Sequence, residues 1–230
     1  MPKPKSSAYW QRPMSGPENM NPIQYEIGDM VFAAEDIFND GGMPGVVMAK
    51  IGIFFGTDTG RTRLIAKQIA KKLGDAAESP VNIGRTTLAN FLAFDRLIVG
   101  SPTLGDGELP GESTGLSQPS WAEFLPQLAA ADLSGKVIAI FGLGDQKKYP
   151  EEFVDAIGIL HDAFVARGAS VIGRWPITGY EFSASKAVDR DEFLGLAIDQ
   201  HHQALLTESR IDTWLAGLSM DFNASVRTGK

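Results

Sequence analysis

The sequence predicts an α/β fold built on a doubly wound parallel sheet. Apolar strands alternate with helical segments along the chain, starting with the strand Ile51 to Phe55 and the helix Thr62 to Leu73. These strands are apolar throughout, which is typical of parallel strands covered by helices on both faces. Glycine-rich loops follow the first, third and fourth strands, and ligands of such sheets lie outside the carboxyl ends of the strands.

The elements follow one another in a regular order. The first helix carries Ile65, Ile69 and Leu73 on one face, and Gly74 is its stop signal. The further strands are predicted at Val81 to Ile83, Leu97 to Gly100, Val137 to Phe141 and Ser170 to Trp175. The further helices are predicted around Leu88 to Phe94 and at Trp121 to Leu128, Glu151 to Arg167 and Ile211 to Leu218.

The first 48 residues differ from the rest of the chain. Met1 to Pro22 contains five prolines and no periodicity, which favours disorder. Tyr25 to Glu35 favours a short strand. We therefore divide the chain into a largely disordered N-terminal extension (1–48), an ordered domain (49–222) and a C-terminal tail (223–230).

Composition excludes several functional classes. Apolar residues make up 43% of the chain and charged residues 21%, so we expect a globular protein rather than disorder throughout. The absence of cysteine excludes disulfides, thiolate zinc sites, cysteine-ligated iron–sulfur clusters and covalent haem, so a redox role requires a bound organic cofactor. The formal net charge of −7 argues against nucleic acid and agrees either with plain solubility or with a basic protein partner.

Targeting signals are also missing from the sequence. The N-terminus has no charged start followed by an apolar segment, and no apolar run approaches the roughly 20 residues needed to cross a bilayer. We therefore expect a cytoplasmic protein that does not contact a membrane.

The loop Gly56 to Thr62 joins the first strand directly to the first helix. Such a junction presents backbone N–H groups and the positive end of the helix dipole to an anion, and three threonine hydroxyls add donors. Gly56 and Gly60 are separated by three residues and followed by Arg61-Thr62, whereas a nucleoside-triphosphate loop needs four residues and then Lys-Ser/Thr. The dinucleotide fingerprint Gly-x-Gly-x-x-Gly is missing as well. The loop therefore predicts a site that holds one phosphate monoester and does not transfer it.

Two further loops complete the pattern, Ser101 to Gly111 after the third strand and Gly142 to Pro150 after the fourth. With the first loop they closely resemble the flavodoxin family, over essentially Ala49 to Phe222. The runs Pro-Thr-Leu-Gly-x-Gly-Glu-Leu-Pro-Gly and Phe-Gly-Leu-Gly-Asp-Gln resemble in particular the long-chain flavodoxins associated with nitrogen fixation. That class has the strand order 2-1-3-4-5 and an insertion that splits the last of its five strands. Pro176 to Phe193 occupies that place here, before the apolar run Leu194 to Ile198.

The resemblance implies bound FMN at these three loops. It places the phosphate on Thr57, Asp58, Thr59, Gly60, Arg61 and Thr62. Pro102, Thr103, Leu104, Gly105, Asp106 and Gly107 would line one side of the flavin, with Leu104 where many relatives have tryptophan. On the other side the implied residues are Gly142, Leu143, Gly144 and Asp145, the last two near the pyrimidine edge, and Tyr149 as the stacking partner. No catalytic residue and no metal ligand are expected.

Two features of the loops predict how the flavin is tuned. Glycine at position 105 makes a flipped, type II′-like turn inexpensive, so we expect the Gly105–Asp106 peptide to flip and its carbonyl to accept a hydrogen bond from protonated flavin N5. Four acidic residues are expected near the ring: Asp106, Glu108, Glu112 and Asp145. They are either ordinary solvated charges or groups that disfavour the anionic, fully reduced flavin and so lower the second reduction potential.

One departure from the family pattern follows the last strand. Relatives commonly carry Asp-x-Asp-Asn-Gln, whereas this chain reads Asp199-Gln200-His201-His202-Gln203, so a histidine replaces an acidic residue. The histidine pair could bind a metal, but adjacent histidines on a helix usually point apart, which disfavours that interpretation.

The resemblance implies a monomeric electron carrier that shuttles FMN between semiquinone and hydroquinone. Its implied partners are redox proteins: the nitrogenase iron protein as acceptor, and a flavodoxin reductase or a pyruvate oxidoreductase as donor. The alternative is an FMN-dependent NAD(P)H or quinone reductase, which shares the phosphate loop but needs an open flavin face. Tyr25 to Gly45 also resembles the start of a small nitrogenase-maturation protein family over about 20 residues, which leaves a scaffold role as a third hypothesis.

Overall fold

The computed structural model describes the backbone of residues 24–27, 30–33 and 50–227, and the side chains of residues 50–222. The chain divides into two compact units, Met1–Gly42 and Met43–Lys230. The predicted disorder of Met1 to Pro22 lies outside the described residues. The division of the chain at residue 48 remains a prediction.

The first unit contains a small antiparallel pair of strands. Strand β1 (Gln24–Ile27) pairs with β2 (Met30–Ala33), with Tyr25 opposite Phe32. The sequence predicted one short strand in this region, whereas the structure has two. The two residues between them in the sequence, Gly28 and Asp29, are types that favour turns.

In its described residues, 50–227, the second unit contains a six-stranded parallel sheet and five α-helices. Its strands are β3 (Gly52–Phe55), β4 (Val81–Asn82), β5 (Arg96–Pro102), β6 (Val137–Leu143), β7 (Ser170–Ile172) and β11 (Leu196–Ile198). Its helices are α1 (Arg61–Leu73), α2 (Leu88–Leu92), α3 (Trp121–Phe124), α4 (Asp155–Val165) and α5 (Thr207–Arg227). None of the helices in this described part of the chain is both long and apolar enough to cross a membrane.

The strand order confirms the predicted doubly wound topology. Strand β3 lies between β4 and β5, and β6 follows β5. Beyond β6, β7 pairs with the beginning of β6 (Val137 opposite Ser170) and β11 with its end (Leu143 opposite Ile198). The last strand of the predicted 2-1-3-4-5 order is therefore split in two. All residues of β3 and β6 are buried, which explains why these strands read as continuous apolar runs.

The segment between β7 and β11 forms a separate three-stranded antiparallel sheet. Its strands are β8 (Trp175–Pro176), β9 (Val188–Asp189) and β10 (Glu192–Phe193), with β10 in the middle. The prediction that the fifth strand runs to Trp175 was wrong, because Gly173 adopts a left-handed φ of 80° and Trp175 pairs with Phe193 in the new sheet. We call residues 176–193 the insertion.

Helix α4 begins later than the sequence suggested. Val154 adopts a left-handed backbone with φ 52°, so the residues from Glu151 to Val154 are not helical and the helix begins at Asp155. A β-branched residue in this conformation is strained. The final helix is longer than predicted, since its backbone continues to Arg227, into the range predicted as a tail.

Candidate functional site

Three loops leave the same edge of the sheet, because β3, β5 and β6 are adjacent and parallel. The first residue after each of these strands donates its backbone N–H to a carbonyl of the neighbouring strand. The three bonds are Gly56 to Gly100 (2.9 Å), Thr103 to Leu143 (3.0 Å) and Gly144 to Ile198 (3.1 Å). The structure thus brings the three predicted groups of site residues to one edge.

The first loop ends at the N-terminus of α1 in the geometry of an anion site. Gly60 occupies the N-cap with φ 89°, and it has no side chain to accept hydrogen bonds from the first turn. The Gly60 N–H itself donates to the Thr57 hydroxyl (3.0 Å), and α1 has no acidic residue in its first turn. The N–H groups at this helix start therefore remain available to an anion, which the helix dipole favours.

The start of the first loop packs on a tryptophan that the sequence analysis did not single out. The Trp121 indole is fully buried, and its Nε1–H donates to the Gly100 carbonyl oxygen (2.9 Å), which also accepts the Gly56 N–H. A Cβ on Gly56 would lie 2.4 Å from Trp121 Cδ1 and 2.7 Å from Ser120 Oγ. Gly56 is therefore required by buried packing, whereas the backbone conformation of the loop depends on Gly60.

The second loop forms a tight turn between Leu104 and Glu108. The Leu104 N–H donates to the Glu108 carbonyl (3.0 Å), and the Gly107 N–H donates to the Leu104 carbonyl (2.9 Å). The left-handed residue of this turn is Gly107, with φ 77°, and not Gly105. The Gly105 carbonyl accepts the Gly107 N–H at 2.9 Å, so a flip of the Gly105–Asp106 peptide would break that contact. Pro102, Thr103 and Leu104 are half-buried, whereas Gly105 and Asp106 are exposed.

The third loop is organised by the carboxylate of Asp145. Its Oδ1 accepts the N–H groups of Lys147 (3.2 Å) and Lys148 (2.9 Å) and faces His202 Nε2 at 2.9 Å. Burial opposes ionisation, but these hydrogen bonds outweigh it and hold the pKa of Asp145 below its ordinary value. The Tyr149 N–H donates to the Asp145 carbonyl (2.9 Å), and Lys148 Nζ lies 5.0 Å from the centre of the Tyr149 ring.

Asp199, directly after β11, ties the third loop to the following turn. Asp199 is completely buried. Its Oδ1 accepts the backbone N–H groups of His201 and His202. Its Oδ2 accepts the backbone N–H and the side-chain amide of Gln146. Asp145, Asp199 and His202 present possible metal-ligand atoms within 4.8 Å of one another. Because the four N–H donors already occupy both Asp199 oxygens, this carboxylate is poorly suited to bind a cation.

The two histidines do not lie on a helix as the sequence analysis assumed. They stand in a turn, and both rings face Asp145, with His201 Nδ1 3.7 Å from its Oδ2. His201 Nε2 also lies 2.6 Å from an Arg61 guanidinium nitrogen. Since a guanidinium only donates, His201 Nε2 is the acceptor of this hydrogen bond. The contact joins the first loop to the turn after β11, 140 residues later, and no local signal in the sequence could have revealed it.

Comparisons with known proteins agree with this arrangement. A family model described as Flavodoxin matches residues 53–214. The chain is 56% identical to a flavodoxin of Klebsiella pneumoniae over 168 residues, which cover 73% of this chain and 96% of that protein. It is 42% identical to flavodoxin 1 of Escherichia coli K12, covering 76% and 96%. The crystal structure of Fusobacterium nucleatum flavodoxin bound to flavin mononucleotide superposes with a TM-score of 0.69 at 30% identity, covering 76% and 99%.

Proposed function

This chain belongs to the flavodoxin family, in its long-chain form, and on that basis we propose that it binds FMN and carries single electrons between redox proteins. It is an electron-transfer protein and not an enzyme. The insertion that splits the last strand into β7 and β11 is the feature that distinguishes the long-chain class.

The observation that carries the proposal is the start of α1. Gly60 leaves the first-turn N–H groups without a side-chain acceptor, and the first turn contains no acidic residue. The hydroxyls of Thr57, Thr59 and Thr62 belong to the same loop and helix start. Several hydrogen bonds acting together hold a phosphate dianion without a lysine. This donor set fits the single phosphate of FMN.

The remaining loops fit the two sides of a flat ring. In the proposed complex Leu104 packs on one side of the flavin and Tyr149 stacks on the other, while Gly144 and Asp145 lie at the pyrimidine edge. Bound FMN supplies the one-electron redox chemistry. The polypeptide would orient the ring and exclude water from its faces. A flip of the Gly105–Asp106 peptide would break the bond from the Gly107 N–H and present the Gly105 carbonyl to the edge of the ring as a hydrogen-bond acceptor.

Exposed acidic side chains in the second loop set the electrostatic environment of the ring. Asp106 and Glu108 are exposed next to the proposed flavin side, and Asp145 is held in its ionised form by three hydrogen-bond donors. Negative charges disfavour adding a second electron to the cofactor, because two unit charges about 4 Å apart repel by about 4 kcal/mol at an effective dielectric near 20. We therefore propose that the protein is an electron donor of low reduction potential.

We place this donor in the cytoplasm, with the nitrogenase iron protein as its acceptor. Support for the acceptor comes from the loop patterns that resemble nitrogen-fixation flavodoxins and from the short stretch Tyr25 to Gly45. Docking would be transient and electrostatically steered toward the exposed edge of the ring. The purified, reduced carrier should reduce the oxidised iron protein in a stopped-flow experiment, and a failure to transfer electrons would remove this acceptor while leaving the carrier function standing.

A steady-state assay separates the carrier from the reductase alternative. The FMN-loaded protein is mixed with NADH or NADPH and a quinone, and the absorbance of the nicotinamide is followed. A carrier whose ring is covered by Tyr149 should turn over no faster than free FMN. Fast turnover with either nicotinamide would contradict the proposed function.

A further inference from the structure

We propose that Lys186 of the insertion and Asp155 of α4 form a charge pair that positions the second loop at Gly107 and balances the charge there, so that the insertion takes part in setting the second reduction potential. This inference rests on the proposed FMN carrier function and deepens it. Lys186 and Asp155 act here as positioning residues, since neither is placed against the cofactor.

The pair is built around a buried carboxylate. Asp155 is the first residue of α4 and only 2% exposed. Its Oδ1 accepts the backbone N–H of Lys186 at 2.7 Å, and its Oδ2 lies 3.0 Å from Lys186 Nζ. The lysine side chain is 59% exposed. A buried carboxylate is strongly unfavourable without such a partner. The charge of Asp155 therefore needs Lys186 beside it, whereas the exposed charge of Lys186 is stabilised by water.

The same pair packs against the backbone of the second loop. A Cβ on Gly107 would lie 2.7 Å from Asp155 Oδ2 and 3.2 Å from Lys186 Nζ. Gly107 is also the left-handed residue of the turn, so both its conformation and the space around it require glycine. At the other end of the loop the Thr103 hydroxyl accepts the N–H of Ala156 at 3.1 Å. The start of α4 therefore contacts the loop on both sides of its turn.

The insertion is in turn bonded to the residues that precede α4. The N–H groups of Ser183 and Ala184 donate to the Pro150 carbonyl, at 2.8 and 3.0 Å, and the Ser185 hydroxyl donates to the Phe153 carbonyl. A Cβ on Gly158 would lie 2.2 Å from the Lys186 carbonyl oxygen, so the chain around Lys186 also packs directly on α4. Lys186 is thus held at a defined position relative to Gly107.

The charges predict opposite effects for the two single variants. Asp155 and Lys186 together are neutral, next to the negative charges of Asp106 and Glu108. In Lys186→Met the buried Asp155 charge loses its partner, which adds negative potential at the loop and disfavours the second electron. In Asp155→Asn the amide oxygen still accepts the residue 186 N–H, but the lysine charge is no longer balanced, which favours the second electron. A residue that served only the stability of the fold would not give effects of opposite sign.

The test is a potentiometric titration of the full-length, FMN-loaded protein and four variants. Lys186→Met should lower the equilibrium constant of the second one-electron step by about tenfold, which is about 59 mV for one electron. Asp155→Asn should raise it, and the double variant should return toward the wild type, as charge coupling in a double-mutant cycle requires. Lys186→Arg keeps the charge and should match the wild type.

Two results would overturn the inference: shifts of the same sign in both single variants, or an unchanged second potential in Lys186→Met with FMN still bound. If Asp155→Asn does not fold, the second reduction potentials of Lys186→Met and Lys186→Arg still test the inference, because Lys186 is exposed and both variants should fold.

Amide hydrogen exchange of the FMN-free protein gives a second readout that does not depend on the proposed function. The amides of residues 104–108 should exchange faster in Lys186→Met than in Lys186→Arg. Equal rates would overturn the positioning role even if the wild type were shown not to be a one-electron carrier.

Discussion

The Cδ1 atom of Trp121 lies 2.4 Å from the point where a Cβ would stand on Gly56. A buried indole therefore requires glycine at position 56, where the first loop begins. The same indole donates to the Gly100 carbonyl, so one side chain holds both the loop and the end of the neighbouring strand.

Gly56→Ala should destabilise the FMN-free protein by about 1–3 kcal/mol, the usual cost of overpacking a close-packed core. Urea unfolding followed by tryptophan fluorescence measures this change. Gly105→Ala is the matched control, because nothing lies within 4 Å of a Cβ at that position, and it should unfold like the wild type. A Gly56→Ala variant as stable as the control would show that Trp121 does not constrain the loop.

Thr59→Asp should weaken FMN binding by about tenfold or more, since it places a carboxylate beside a phosphate dianion at the start of α1. Riboflavin lacks the phosphate, so its affinity should change little. Quenching of flavin fluorescence gives both affinities, and Thr59→Asn controls for the loss of the hydroxyl. An equal loss for FMN and riboflavin would mean that the phosphate does not lie at this loop.

Asp145→Asn should destabilise the FMN-free protein at pH 7 by about 1–3 kcal/mol, because the N–H groups of Lys147 and Lys148 lose a charged acceptor. The pKa of Asp145 is lowered by folding. Its contribution is therefore fully present above the ordinary aspartate pKa of about 3.9 and is lost as the pH falls through the lower, folded-state value. Urea unfolding at pH 7 and pH 3 should show the difference between wild type and variant narrowing in acid; a constant difference would contradict this assignment.

A chain that begins at residue 48 should bind FMN with the affinity of the full chain. All proposed cofactor residues lie between Thr57 and Tyr149, and the family model matches residues 53–214. Isothermal titration of both proteins with FMN is the measurement. Weaker binding by the shortened chain would place the domain boundary before residue 48.

Local signals in the sequence were sufficient to predict the sheet and its three loops. Strands such as β3 and β6 are apolar from end to end, and the glycine-rich loops mark their carboxyl ends without reference to the rest of the chain. The insertion strands were not predicted, because two-residue strands such as β9 carry no periodicity.

The contacts that hold the loops in place are long-range and were missed for that reason. Trp121 contacts Gly56 across 65 positions of sequence, and His201 contacts Arg61 across 140. The left-handed conformation of Val154 runs against the local preference of valine. Val154 packs on the third loop, where a Cβ on Gly144 would lie 3.1 Å from its Cγ1.

A potentiometric titration of the purified, FMN-loaded protein tests the central claim most directly. The proposed carrier predicts two separated one-electron steps, the second of them near the potential of hydrogen evolution, because the proposed site places acidic groups beside the ring and these disfavour the second electron. A single two-electron step would contradict the proposed function, since it is the behaviour of a flavin that exchanges hydride and not single electrons.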